Sequence, residues 1–102
     1  MSKVKITVIK RFSPEEVLGH EYKNPAGKIL KKCPLQVGQE WIIDSGAMPE
    51  DFCTGAWLDL SRWIFVLRFG GTFKDFWEEG VSYNACTDGL RPVCFKLERI
   101  ED

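Results

Sequence analysis

Alternating polar and apolar residues near the start of the chain predict the first element, a β-strand over residues 3–10. Val4, Ile6 and Val8 fall on one side of this segment, and Lys or Thr occupies the positions between them. A period of two is typical of a strand that buries one face.

A short helix is predicted directly after this strand. Ser13 supplies an N-cap hydroxyl, Pro14 suits the first helical position, and Glu16 stands three residues after the cap. We expect the helix to run to about Leu18, with Gly19 near its end.

The longest helix is predicted over residues 52–69. Its apolar side chains recur at spacings of four and three residues, which is the period of an amphipathic helix. This stripe comprises Cys53, Trp57, Leu60, Ile64 and Leu67. The β-prone end of the segment would also suit a strand, but the continuous period favours a helix. Gly70 and Gly71 end it, and residues 72–79 are expected to add a second short helix.

Three further strands complete the predicted sheet. Residues 39–44 form a β-prone run between Gly-containing turns, and residues 81–87 and 93–100 alternate with period two around an Asp-Gly turn. The pattern predicts an α+β fold in which a four-stranded antiparallel sheet packs against one long helix, with two short helices. The length indicates a single domain spanning residues 1–102.

Charge and hydropathy exclude several classes of partner. Fourteen Lys and Arg residues against fifteen Asp and Glu leave a net charge of -1, so we expect no nucleic-acid partner. The longest apolar run, residues 63–67, is far shorter than a membrane span. The Lys-containing N-terminus lacks the unbroken apolar core of a signal peptide. We therefore expect a cytoplasmic protein with no membrane partner.

Four cysteines are the first candidate chemistry. Thiols stay reduced in the cytoplasm, so Cys33, Cys53, Cys86 and Cys94 are candidates for a metal or redox site rather than a disulfide framework. The spacing contains no Cys-x-x-Cys pair, so it gives only weak support to zinc or iron as a cofactor. In a hairpin symmetric about Leu90, Cys86 would face Cys94, near enough for two metal ligands or a reversible thiol pair. A shift of one residue would separate them.

Cys53 is the best single candidate for a reactive thiol. It falls in the first turn of the predicted long helix, where the helix dipole favours a thiolate. The alternative is that Cys53 begins the apolar stripe and is a buried packing residue. His20 is the only histidine and follows Gly19 at a helix end, where capping is a more common role than catalysis. An enzyme using these two residues as nucleophile and base has only their residue types in its favour.

Aromatic content and the last turn point to ligand binding. Four Trp, two Tyr and seven Phe exceed what a core of this size needs, so some are expected to line a pocket or a subunit interface. Asp88, Arg91 and Lys96 cluster in and beside the last turn, where Arg and backbone amides suit a carboxylate or phosphate group. The alternative is a solvated turn in which Asp88 caps the backbone and pairs with Arg91.

The segment ACTDGLRPVCFKLER, residues 85–99, resembles a family of short prokaryotic proteins that carry no assigned function. Segments that begin at Lys3, Cys33 and Met48 are similar to other recurring parts of that family, so the resemblance covers essentially the whole chain. Cys33, Cys53 and Cys86 fall within these segments, and the resemblance favours a function for them. Cys94 stands where the family pattern has an apolar residue, which weakens a four-cysteine site and leaves a three-thiol site as a variant.

Two functions remain open at this point. The first is a small-molecule-binding or accessory module, expected to form a homo-oligomer, with an aromatic-lined pocket or interface near residues 88–92. The second is a cysteine-dependent metal-binding or thiol-redox protein. The first predicts inert thiols, and the second predicts bound zinc or iron or a reactive thiol.

Overall fold

Within residues 1–100, the fold comprises four antiparallel strands and two helices. The computed structural model describes residues 1–100, and the last two residues of the predicted domain lie outside them. The elements in chain order are β1 (Lys3–Arg11), α1 (Pro14–Leu18), β2 (Glu40–Ile43), α2 (Thr54–Arg68), β3 (Val81–Ala85) and β4 (Val93–Ile100). The strands form one sheet in the order β2-β1-β4-β3. The α+β class with a four-stranded antiparallel sheet is thereby confirmed.

One face of the sheet carries the core. Val4, Ile6 and Val8 on β1 are buried, as are Phe95 and Leu97 on β4. The buried side chains that α2 adds to the same cluster are Ala56, Leu60, Ile64 and Leu67. Removal of this apolar surface from water is the main force that holds α2 against the strands. Within residues 1–100, no helix combines the length and apolarity needed to cross a membrane.

The helix α2 is shorter than the one predicted over residues 52–69. It has 15 residues, begins at Thr54 and is followed by Gly70 in the left-handed conformation. The last three residues of the predicted apolar stripe are buried, whereas Trp57 is half-buried and Cys53 is exposed. Cys53 is the N-cap and not part of the first turn, so its side chain does not lie on the buried helix face.

The prediction of a second short helix over residues 72–79 is wrong, because this segment forms turns. The amide of Trp77 donates to the carbonyl of Phe73 at 2.9 Å, which closes one turn that is not continued. The Thr72 Oγ1 accepts a hydrogen bond from the amide of Gly80 at 3.4 Å, which joins the two ends of the segment. Aromatic contacts to α2 and β3 hold the segment instead, and a helical pattern in the sequence cannot reveal them.

The register of the β3–β4 hairpin differs by one residue from the prediction. Ala85 pairs with Cys94, where a symmetric hairpin would have paired Cys86 with Cys94. A shift of one residue exchanges the two faces of a strand, so Ser82 lies on the core side and Tyr83 on the opposite side. Cys86 packs against the core, and the predicted thiol pair across the hairpin is wrong.

Candidate functional site

A cleft of about 420 Å³ opens between the loop before β2, the start of α2 and the β3–β4 turn. Buried apolar side chains form its floor, namely Leu35, Phe52 and Ala56. Its ionisable residues are Asp51, Asp59, Asp88 and Arg91. Three cysteines also line it, Cys33, Cys53 and Cys86, and we call this site the thiol cleft.

The three cysteines of the thiol cleft come from three separate parts of the fold. Cys33 precedes β2, Cys53 caps α2, and Cys86 directly follows β3. Each is a free thiol; Cys53 is exposed and the other two are half-buried. In residues 1–100, no three His, Cys, Asp or Glu side chains are grouped so that they could hold a metal ion. The cleft therefore gathers thiols without arranging them as a ligand set for zinc or iron.

Backbone hydrogen bonds fix the positions of Cys33 and Cys86. The Arg11 guanidinium on β1 donates from Nη1 to the carbonyl of Cys33 at 2.9 Å. The amide of Cys86 donates to the carbonyl of Val93 at 3.1 Å, and the Val93 amide donates to the Cys86 Sγ at 3.4 Å. The Cys86 sulfur is thus already engaged by the protein itself.

The Cys53 sulfur lies at the start of α2 and is not engaged in this way. As far as the described chain extends, its side chain makes no capping hydrogen bond, and the amides of Thr54, Gly55 and Ala56 have no acceptor. A Cβ built on Gly55 would lie 3.9 Å from the Cys53 Sγ, so the missing side chain leaves the sulfur open on that side. Unsatisfied first-turn amides carry the partial positive charge of the helix N-terminus.

Asp88 and Arg91 form a closed turn at the edge of the cleft. Asp88 Oδ1 accepts hydrogen bonds from the amides of Leu90 and Arg91, both at 3.0 Å, and Oδ2 accepts from Arg91 Nε at 3.3 Å. Desolvation raises the pKa of Asp88, but these hydrogen bonds and the Arg91 charge outweigh it, so the pKa lies below its ordinary value. Both residues line the cleft, in the capped and paired arrangement that the sequence left as the alternative to an anion site.

Lys96 is not part of this cluster. It lies on β4 opposite Tyr83, on the sheet face away from the core, and its Nζ is 3.6 Å from the Glu98 carboxylate. The predicted grouping of Lys96 with the turn is therefore wrong, because the strand alternation directs it to the other face. Cys94 shares that face, since it pairs with Ala85, and it also lies outside the thiol cleft.

Asp59 joins the β3–β4 turn to α2, whereas His20 lies outside the cleft. Asp59 on α2 accepts hydrogen bonds from the Thr87 amide at 2.8 Å and from Thr87 Oγ1 at 3.0 Å, which ties the turn to the helix. Asp59 is not among the residues that the sequence singles out, because no local pattern encodes a contact over 28 residues. His20 is exposed, with its Nδ1 2.9 Å from the carbonyl of Glu21, and it does not line the cleft.

Comparisons with known proteins assign nothing further. No family model, curated protein or solved structure matches the chain. The resemblance of residues 85–99 to a family of short prokaryotic proteins stays a prediction.

Proposed function

We propose that this protein binds a small, mainly apolar molecule in the thiol cleft. The observation that carries the proposal is a cleft of about 420 Å³ with a buried apolar floor and a few polar groups at its edge. Small-molecule sites typically have volumes of roughly 300–1,000 Å³ and combine apolar walls with a small number of polar groups.

Contacts within the protein support a preformed site. Asp59 ties the β3–β4 turn to α2, and Arg11 holds the loop that carries Cys33. Neither contact requires a ligand, so little ordering of the walls is needed when a molecule binds. A preformed apolar cleft of this kind favours binding over a role that depends on large closure motions.

A cleft-filling variant tests the proposal. Gly55 lines the cleft and Thr54 does not, although both are exposed residues in the first turn of α2. We expect small uncharged aromatic fragments that raise the melting temperature of the wild-type protein to lose this effect in Gly55→Leu and to keep it in Thr54→Leu. Equal stabilisation of both variants in a thermal-shift screen would count against the cleft as the binding site.

A thiol-dependent function is the second candidate. It is favoured by one observation, that Cys33, Cys53 and Cys86 line the same cleft. Native mass spectrometry of protein purified without chelator, followed by alkylation, tests it and also reports the expected homo-oligomer. Bound zinc or iron that protects the thiols would support metal binding. Metal-free protein in which Cys33 and Cys86 alkylate only on unfolding, and in which exposed Cys53 reacts no faster than a free thiol, would contradict both metal and redox functions.

A further inference from the structure

We infer that Cys53 is the point of covalent attachment in the thiol cleft, and that the class of molecule it captures is a small apolar α,β-unsaturated carbonyl compound. The inference rests on the proposed function, since the molecule must bind in the cleft before it reacts. It goes further by naming the reacting atom and the chemical class of the ligand.

Differences among the three cleft thiols single out Cys53. Cys33 and Cys86 are half-buried and pack against the core, and the Cys86 Sγ also accepts a hydrogen bond from Val93. Cys53 is exposed, and Gly55 presents no side chain to cover its sulfur. Cys53 is therefore the most accessible of the three cleft thiols.

The start of α2 supplies the complementary electrostatics. Gly55 and Ala56 line the cleft, and within residues 1–100 their amides have no acceptor. Such amides are suited to the negative charge that develops on a carbonyl oxygen during addition to a conjugated double bond.

Conjugate addition matches the groups that the cleft contains. The Cys53 Sγ forms a bond to the β-carbon, the carbon–carbon π electrons move toward the carbonyl oxygen to give an enolate, and the α-carbon takes a proton from water. The proton lost by the thiol passes to solvent, so no oxidant or reductant is consumed. His20 lies outside the cleft, so reactions that need an imidazole base close to the nucleophile are less well supported.

The remaining lining defines which electrophiles fit. Leu35 and Phe52 on the floor favour an apolar body. Asp51 and Asp59 add negative charge to the lining, and the Arg91 guanidinium is paired with Asp88, so an anionic electrophile is disfavoured. An uncharged cyclic enone combines the required properties.

The test uses 2-cyclohexen-1-one as the probe and follows alkylation of each cysteine by peptide mass spectrometry. We expect the rate at Cys53 to saturate with probe concentration and to exceed the rate at Cys94 by about tenfold or more, because binding precedes reaction. Cyclohexanone, the saturated analogue, should slow the reaction at Cys53 and leave Cys94 unchanged. Cys94 lies on the opposite sheet face and serves as the internal control.

Fragment binding to the wild-type protein separates this inference from the proposed function. The Cys53→Ser variant should keep its fold, since Cys53 is exposed and its side chain caps no amide in the described residues, and it should form no adduct at position 53. The Cys94→Ser variant changes a residue outside the thiol cleft, so it should still form the Cys53 adduct and still bind the fragments found in the thermal-shift screen. If those fragments bind but Cys53 reacts as slowly and as linearly as Cys94, the inference is wrong and the proposed function stands. If no fragment binds in the cleft of the wild-type protein, both are wrong.

Discussion

Two adjacent glycines after α2 meet different physical requirements. Gly70 has a φ of 88°, a left-handed conformation that glycine adopts without steric cost. Gly71 lies outside that region, but a Cβ there would be 2.5 Å from the Val66 Cγ1 and 2.8 Å from the Val66 carbonyl oxygen. The first glycine is needed for its dihedral angle and the second for close approach to the helix.

Alanine substitution of Gly70 or Gly71 should destabilise the protein more than alanine substitution of a glycine that meets neither requirement. We expect Gly71→Ala to lower the free energy of unfolding by about 1–3 kcal/mol through overpacking, and Gly70→Ala by about 1–2 kcal/mol through backbone strain. Gly89→Ala is the control, because a Cβ there meets no atom within 4 Å, and its effect should stay within about 0.5 kcal/mol. Urea denaturation measures all three, and a Gly71→Ala loss no larger than that of Gly89→Ala would contradict the account.

The lowered pKa of Asp88 predicts that the stability of the protein depends on pH. A carboxyl whose pKa is lower in the folded protein stabilises the fold above its ordinary pKa of 3.8, and this contribution is lost as the pH falls through the folded value. Asp88→Asn should therefore be less stable than wild type above pH 3.8, and the difference should shrink in more acidic solution. Urea denaturation at stepped pH checks this, and a difference that is constant with pH would contradict it.

At the scale of elements, α2 owes its position to one buried side. Leu60 is 0% exposed and Leu58 is 70% exposed, although the two are the same residue type in one helix. Leu60→Ala should cost about 3–5 kcal/mol because it leaves a cavity in the core, and Leu58→Ala should cost less than about 0.5 kcal/mol. Guanidinium denaturation provides the comparison, and similar losses for both would mean that α2 is placed wrongly.

How far the sequence predicts these elements depends on how local their signals are. β1 and β4 are predicted because period two and one buried face occur within each strand. The sequence does not predict the hairpin register, because the register depends on the turn. In this turn Asp88 accepts hydrogen bonds from the amides of Leu90 and Arg91. Residues 72–79 were misassigned because contacts such as Trp77–Tyr83 outweigh the helical pattern.

At the scale of the whole molecule, the thiol cleft depends on three distant segments meeting. Cys33, Cys53 and Cys86 were each identifiable from the sequence as candidate thiols, and so was the Asp88 turn. Their shared cleft was not predictable, because it requires both the hairpin register and the contact between Asp59 and the turn. A linear sequence carries neither in a local pattern.

Loss of that contact should loosen the cleft. Asp59→Ala removes the carboxylate that accepts from the Thr87 amide, so this amide should exchange hydrogen faster and the protein should lose about 1 kcal/mol of stability. Asp75→Ala, at an exposed position outside the thiol cleft, is the matched control. Hydrogen exchange followed by NMR measures the effect, and unchanged exchange at Thr87 would show that the contact does not hold the turn.

The claim that the thiol cleft binds a small molecule is tested most directly by an amide chemical-shift map with the best fragment from the thermal-shift screen. The account predicts that the largest changes fall on Gly55, Asp59 and Thr87, which line the cleft on α2 and on the β3–β4 turn. Changes concentrated on the exposed side of α2, around Leu58 and Phe69, would contradict it and would assign binding to a different surface.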